Sequence, residues 1–478
     1  MQEYEVLALF VTNVLFVTTL GWYLITNLQW YNYKISRVVL KHHKPQWHIF
    51  YFIIPFIAYY TTGLFFLIFF YFAVLPSIFV WHKKLDKKLV LTWRVKRFLI
   101  LLIFLTLFQN IICTLKDACE VYGVFMPLAI AYIGSYAIEK YLFLAFKKQA
   151  KAKLDSMSNL QIIAVTGSYG KTSMKNFMTQ ILSKKYKVYS TPRSINTLGG
   201  IIGDVNNSLP EDTEIYICEA GARERGDIYE ITTFLNPQTV VVGKVGLAHI
   251  EYFKTLENIV RTKLEIIQSS RLKKAFVYKN VTNETHEKVE FFGDSIQNID
   301  ATLEGIDFEY KGEKFHTDVL GAFQVINIEA AMKVANEFGM DDQEIKKAIS
   351  DLKPINHRLE RIDAGGKIIL DDGYNGNIDG MLESIRLCSL HQGGNKVIVT
   401  PGLIESSEEL NLQLCNAINN VFDIVIVTGK LNSVLFDKNI HVRQKTILHD
   451  KSKLTDILAS QTKSGDIILF ANDAPSFI

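Results

Sequence analysis

At ~100–200 residues per folding unit, the 478-residue chain has room for about three units, which excludes a single small module. Hydrophobic residues make up 49% of it, with 31 Phe and 21 Tyr, while 21% are charged; that combination excludes an ordinary soluble chain and points to part membrane, part soluble. A net charge of only +3 gives no global attraction to nucleic acid, and none is expected as a partner.

The apolar residues concentrate in 1–155, which reads as a transmembrane helical domain. Apolar runs fall at about 7–29, 47–81, 98–115 and 121–146. A span needs ~20 apolar residues, so the long second run, interrupted at Thr61-Thr62-Gly63, reads as two short helices and the total as about five spans. The loops 30–46 and 82–97 are rich in Lys and Arg and are therefore expected on the cytoplasmic side. Five spans starting outside place both basic loops inside, the nearly neutral loop 116–120 outside, and Lys147, Lys148, Lys151 and Lys153 in the cytoplasm. The expected location is thus a membrane, multi-pass, with the lipid bilayer as a partner and the remaining domains on the cytoplasmic face. The five cysteines (113, 119, 218, 388 and 415) show no C-x-x-C spacing and read as buried or incidental thiols in a reducing compartment.

From about 156 short β-rich runs alternate with amphipathic stretches, the pattern of a parallel α/β sheet. LQIIAVT (160–166) reads as a strand, 171–185 as a helix, EIYICEAG and TVVVGKVG as buried strands, 308–320 as a hairpin and 324–338 as a helix. A break near Leu352-Lys353-Pro354 divides 156–352 from a second βα series in 353–478, carried by KIILDD, KVIVTPG, DIVIVTG and DIILFAN.

Thr166-Gly167-Ser168-Tyr169-Gly170-Lys171-Thr172-Ser173 is a Gly-containing turn between a hydrophobic strand and a helix, the context a phosphate-binding loop requires. Gly167 and Gly170 let backbone N–H groups converge on phosphate oxygens, joined by those of Ser168 and Ser173; Lys171 offsets β/γ charge, and the Thr172 hydroxyl suits Mg²⁺. A nucleotide is the expected ligand. Two further groups carry metal chemistry in principle. Glu219 ends an apolar strand and His249 follows another, a pair suited to a second Mg²⁺, although a capping carboxylate and a satisfied loop histidine fit the same residues.

The form T-G-x-x-G-K-T/S resembles the phosphate loop of the Mur ligase family of ATP-dependent amide-bond ligases. Further segments similar to that family follow in its order: TPRSINTLGG (191–200), CEAGA (218–222), AHIEYFKTLENIVRTKLEI (248–266), GAFQVINIEAA (321–331), NHRLERI (356–362) and LDDGYNGNIDGM (370–381). Together they cover nearly all of 160–385. The resemblance implies a P-loop central α/β domain over 156–352 and a Rossmann-like C-terminal α/β domain over 353–478. It also implies the branch of the family that joins D-Ala-D-Ala to UDP-MurNAc-tripeptide through an acyl phosphate, with neighbouring enzymes of cell-wall synthesis as partners.

By the same resemblance Glu219 and His249 are metal ligands, and Lys263 is the lysine the family carbamylates to help orient Mg²⁺. Gln324 or Asn327 contacts adenine, Arg358 reaches the phosphates, Asp372 accepts from ribose hydroxyls, and Asn196, Thr197, Tyr374 and Asn375 face substrate. Taken alone, Lys263 is equally an exposed helix lysine, and Asp372 to Asn375 a polar turn. Two stretches depart from the family pattern, PGLIE (401–405) and LFANDAPSF (469–477), and the usual soluble UDP-binding domain is replaced by the apolar N-terminus. A ligase acting on a capsule, poly-amino-acid or lipid-linked carboxylate is the alternative within enzymes, and a membrane protein with a regulatory NTPase domain the alternative outside them.

Overall fold

The computed structural model describes every residue except Met1, Lys41, Asp86, 117–118, 248–249, 283–286, Asn375, Glu405 and 474–478. It divides into two compact units, Met1–Ala145 and Phe146–Ile478.

The first unit is helical. Its longer helices are α1 (Gln2–Trp30), α2 (46–61), α3 (Phe65–Lys83), α4 (Trp93–Lys116) and α5 (Phe125–Ser156), the last running on into the second unit. Four of these, α1 and α3 to α5, are long and apolar enough to cross a membrane. The split expected at Thr61-Thr62-Gly63 is present: α2 stops at Thr61 and Gly63 turns the chain with a left-handed φ of 57°. The fifth expected span needs correcting in length. At ~1.5 Å per residue α2 extends roughly 24 Å, short of a ~30 Å hydrocarbon core. Both α2 and α3 contain a widened π-type turn, Ile49–Ile53 and Phe70–Val74, immediately before the segments carrying Pro55 and Pro76. Proline lacks an N–H and its ring crowds the preceding turn, and a wider turn relieves both problems.

Phe16, Val17, Leu20, Phe66, Phe70, Phe98 and Leu102 form the core of this unit. A Cβ on Gly21 would collide with the Leu102 side chain, so the absence of a side chain there lets α1 and α4 approach closely. A buried polar link crosses the apolar core: Asn110 Nδ2 donates to Asn13 Oδ1 (2.9 Å), and Asn13 Nδ2 donates to the Tyr59 hydroxyl (2.8 Å). The expectation of five free thiols is overturned at two positions. Cys113, in the last turn of α4, is disulfide-bonded to Cys119, and only Cys218, Cys388 and Cys415 are free, all buried. The missing C-x-x-C spacing did not exclude a bridge, because a helix end and the loop after it bring positions six apart together.

The second unit contains two six-stranded sheets. The first has strand order β2-β3-β1-β4-β5-β6, entirely parallel, from β1 (Gln161–Thr166), β2 (Val188–Ser190), β3 (Ile215–Glu219), β4 (Thr239–Val242), β5 (Lys274–Tyr278) and β6 (Val289–Phe292). Its central strands are buried end to end, as continuous apolar runs covered on both faces require. Helix α6 (Lys171–Leu182) follows β1 and lays Met174, Phe177, Met178 and Ile181 on the sheet. An antiparallel three-stranded sheet of β7 (Ile296–Ala301), β8 (Ile306–Tyr310) and β9 (Glu313–Thr317) holds the expected hairpin.

Helix α7 (Gln324–Glu337) is packed into the core of the first sheet through Val325, Ile328, Ala331 and Ala335. The second sheet has the order β10-β11-β15-β12-β13-β14, from β10 (Glu360–Ala364), β11 (Lys367–Asp372), β12 (Lys396–Thr400), β13 (Ile424–Thr428), β14 (Gln444–Leu448) and β15 (Ile467–Ala471). Only β10 runs antiparallel.

The thiol pattern sets a test. The full chain in detergent should take up no maleimide without reductant, and after mild reduction should be modified at Cys119, which is exposed, while Cys218, Cys388 and Cys415 stay protected until denaturant is added. Peptide mapping by mass spectrometry reads the outcome, and modification of Cys119 without reductant would show that the bridge is absent.

Candidate functional site

β1 pairs with β3 on one side and β4 on the other, so the loops leaving the C-terminal ends of all three converge. In open parallel sheets this is where ligands bind, at the point where strand order reverses. The 166–173 loop occupies it. Thr166 is buried and its hydroxyl donates to Ala220 O (2.8 Å), tying the loop to the end of β3. The Ser168 and Tyr169 amides donate to Lys244 O (2.9 and 3.3 Å), tying it to the end of β4. Gly170 opens α6 with φ at +76°, a conformation disfavoured for residues carrying a Cβ, and a Cβ there would run into the Asn327 side-chain amide.

Lys171 folds back over the loop, its Nζ donating to Gly167 O (2.8 Å) and Ser168 O (3.1 Å). Burial pushes its amine pKa down, opposed by Glu219 and reinforced by Arg358. The Thr172 hydroxyl donates to Glu219 Oε2 (3.3 Å), and Glu219, fully buried, receives the Lys175 ammonium at Oε1 (3.0 Å). Among the described residues no three of His, Cys, Asp and Glu gather as a metal cluster. Thr172 and Glu219 still supply two adjacent hard oxygens, which fits Mg²⁺, an ion that keeps several waters and is commonly held by one or two carboxylates plus phosphate oxygens.

These residues line a cleft of about 410 Å³ together with groups from the second sheet. Ser168, Gly170, Lys171, Thr172, Ser173, Asn196, Glu219, Gln324, Asn327, Arg358, Asp372 and Tyr374 all face it. Asn327 Nδ2 donates to Gln324 Oε1 (2.8 Å), which fixes both amides. Arg358 Nη1 donates to Tyr374 O, Asp372 Oδ2 accepts from the Ser384 hydroxyl (2.7 Å), and His357 Nδ1 sits 2.6 Å from Asp371 Oδ2 beside them.

Two expected groups lie elsewhere. Thr197 accepts from Gly200 N (3.3 Å) as the cap of the helix Leu198–Asn207 and does not line the cleft. Lys263 is on the helix Leu256–Leu264 and is only 4% exposed, which removes the reading as a solvated helix lysine. Burial and the like charge of Lys171 bring its amine down to about 7, with Asp227 and Glu265 pulling upward. His249 and Asn375 lie outside the described residues.

Sequence reasoning missed Lys175, Lys244 and Asp379. Lys244 Nζ meets Asp379 Oδ2 at 2.5 Å, a pair joining the end of β4 to the first turn of the helix Ile378–Ser389 at the mouth of the cleft. Nothing in the local pattern distinguishes these lysines and this aspartate from solvated charges; their partners come from distant segments.

Residues 165–335 match the Mur ligase middle domain. The chain is similar to the UDP-N-acetylmuramoyl-tripeptide–D-alanyl-D-alanine ligase of Bacillus subtilis, 28% identical over 352 residues, covering 68% of this chain and 76% of that one. It is also similar to the crystal structure of MurF from Thermotoga maritima in complex with ADP, at 26% identity and a TM-score of 0.60 over 69% of this chain and 80% of that one. MurF from Acinetobacter baumannii shares the fold at 20% identity and a TM-score of 0.61, over 69% and 77% of the two chains.

The left-handed turn at Gly170 yields a prediction independent of any ligand. Gly170→Ala should lower the stability of the full chain by about 1–3 kcal/mol, from φ strain and displacement of Asn327, as read by urea unfolding followed at the second unit. An unchanged midpoint would show that the loop does not adopt this turn.

Proposed function

We propose that the chain, whose residues 165–335 match the Mur ligase middle domain, is an ATP-dependent, ADP-forming ligase of peptidoglycan precursor synthesis that joins D-Ala-D-Ala to UDP-MurNAc-tripeptide. One observation carries the reading. A phosphate loop, a Thr172–Glu219 oxygen pair and two groups from the second sheet, Arg358 and Asp372, face a single cleft.

Amide formation through ATP requires a carboxylate to take the γ-phosphoryl group and an amine to displace phosphate from the acyl phosphate. The protein's task is positioning and charge stabilisation. The loop amides from Gly167 to Ser173 and the helix α6 N-terminus hold the phosphate oxygens. Lys171 leaves its carbonyl partners and turns to the β/γ-phosphates. Thr172 and Glu219 would hold Mg²⁺, which would supply charge neutralisation at the phosphates, and His249 is the candidate for a second ion. Arg358 meets the transferring phosphoryl group with fixed charge and forked donors. Gln324 and Asn327 take adenine, Asp372 the ribose hydroxyls, and Asn196, Tyr374 and Asn375 the amide-forming substrates. Thr197 supports Asn196 by capping the helix that follows it.

The location proposed is a bacterial inner membrane, with this cleft in the cytoplasm. Loop charge and the disulfide support the same parity. With the cleft in the cytoplasm, the basic loop 82–97 lies inside and the Cys113–Cys119 bridge outside whether or not α2 crosses, in keeping with the Lys/Arg rule and with the compartment in which disulfides persist. Counting α2 as a short fifth crossing also brings the basic loop 30–46 inside.

ADP release by the detergent-solubilised chain tests the reaction. Turnover should require both UDP-MurNAc-tripeptide and D-Ala-D-Ala, and Lys171→Ala should lower it by ~10²-fold or more. Hydrolysis indifferent to D-Ala-D-Ala would overturn the assignment and leave a regulatory NTPase.

Lys263 supplies a pH test. Carbamate forms from the neutral amine and CO₂ with loss of a proton, and the lowered pKa places the neutral fraction's rise near pH 7. With ¹³C-bicarbonate, a protein carbamate resonance should be absent at pH 6, grow through pH 7 to 8, and vanish in Lys263→Arg. A resonance that survives the substitution would place the carbamate on another amine.

A further inference from the structure

Lys175 lies one turn into α6, has no role in the chemistry above, and its side chain is 2% exposed. Its Nζ donates to Thr191 O and Arg193 O, each at 2.5 Å, and meets Glu219 Oε1 at 3.0 Å. The two carbonyls accept hydrogen bonds from the ammonium, while Glu219 Oε1 meets it as an ion pair without a hydrogen bond. The Glu219 carboxylate is thereby divided, with Oε1 on Lys175 and Oε2 on the Thr172 hydroxyl at the cleft.

The two carbonyls belong to the loop leaving β2, which brings Ser194 and Asn196 to the cleft wall. Arg193 holds a left-handed φ of 51°, a conformation the chain disfavours unless its surroundings impose it. Asn196 O in turn accepts from Gly221 N (2.8 Å), two residues beyond Glu219. A single buried cation therefore joins the helix after the phosphate loop, the cation-facing carboxylate and the substrate-facing loop.

We propose that Lys175 is a positioning residue that couples a divalent cation at Glu219 to the conformation of the 191–197 loop. The inference rests on the reading of Thr172 and Glu219 as the Mg²⁺-holding pair. A cation meeting Oε2 draws the carboxylate's charge toward itself and weakens its hold on Lys175. The ammonium's bonding then shifts toward the Thr191 and Arg193 carbonyls, and the loop carrying Ser194 and Asn196 tightens. Binding of the nucleotide's metal is thus transmitted to the wall that receives the other substrate.

Hydrogen exchange by mass spectrometry on the full chain in detergent, saturated with a non-hydrolysable ATP analogue, tests this. Adding Mg²⁺ should slow exchange across 191–197 by about threefold or more in the unmodified chain and leave it nearly unchanged in Lys175→Met, with unfolding still cooperative. A lysine that only fills the core would lower stability in Lys175→Met and leave the Mg²⁺ response intact, and that result overturns the proposal. Should Lys175→Met fail to fold, Glu219→Gln keeps the lysine and the volume; it should also lose the loop response, and a retained response refutes the coupling. Mg²⁺-dependent nucleotide affinity in Glu219→Gln separates the two readings. If it is undiminished, the metal pair itself is wrong; if it falls while Lys175→Met still responds, only the coupling is wrong.

Discussion

A fully buried carboxylate at the C-terminal end of a parallel strand is the constraint on which the nucleotide-facing part of the molecule depends. Removing a charge of that size from water costs several kcal/mol even after the protein relaxes, and the cost is tolerable only where paired cations and hydrogen bonds surround it. Glu219 obtains both from α6: the Lys175 ammonium on one oxygen and the Thr172 hydroxyl on the other. Because α6 also begins at the phosphate loop, satisfying Glu219 fixes where the loop sits relative to β3. Deleting one partner alone would leave the other charge buried and unpaired, which is costlier than never having had the pair.

Sheet geometry extends that local fit to the whole cleft. Val165 lies opposite Glu219 in register, and Thr166 opposite Val242, so the chain leaves β1, β3 and β4 at one level. The second sheet repeats the device: Asp372 ends β11 opposite Ala471, and the segment after it turns through Gly373 and Tyr374 toward the same space. Parallel strands bury their middles as apolar runs and expose only their ends, so polar chemistry collects at one edge of each sheet. The Lys244–Asp379 pair and the Ala322 N bond to Glu383 Oε1 (2.8 Å) then link residues of the two sheets' domains at that edge.

Continuous apolar strands and the Gly-Lys-Thr turn were readable because their signals are local. Strand ends at Thr166, Glu219 and Asp372 fell where the hydrophobic runs stop, and the phosphate loop's context was visible within some 25 residues. Lys175 was not readable. The apolar stripe of α6 runs through Met174, Phe177, Met178 and Ile181, and a lysine beside it has the pattern of a solvated helix flank; its partners lie 16, 18 and 44 positions away in sequence. Lys263 is alike, since its burial follows from packing that periodicity alone did not demand. Thr197 was expected to face substrate by resemblance, yet threonine before a helix is a cap by its own chemistry. The disulfide escaped detection because pairing depends on where a helix ends, and that boundary is the least determined feature of an apolar run.

The apolar helical unit poses the complementary question of what its polar residues do. Asn13, Tyr59 and Asn110 come from three helices, α1, α2 and α4, and hydrogen-bond to one another within an otherwise aromatic and aliphatic core. Inside a buried core such amides favour partners, and the bonds made by Asn13 and by Asn110 Nδ2 favour α1, α2 and α4 as neighbours. Tyr59 also donates to Tyr122 O (2.9 Å), which draws the segment before α5 into the same link. A polar set whose members bond to each other is suited to fixing a helix arrangement, whereas a transport path needs groups that can exchange their partners with a moving ion or solute. The short α2 joins this link through Tyr59, and the proposed side of the bilayer for the segment before it, with the basic loop 30–46, depends on whether α2 crosses.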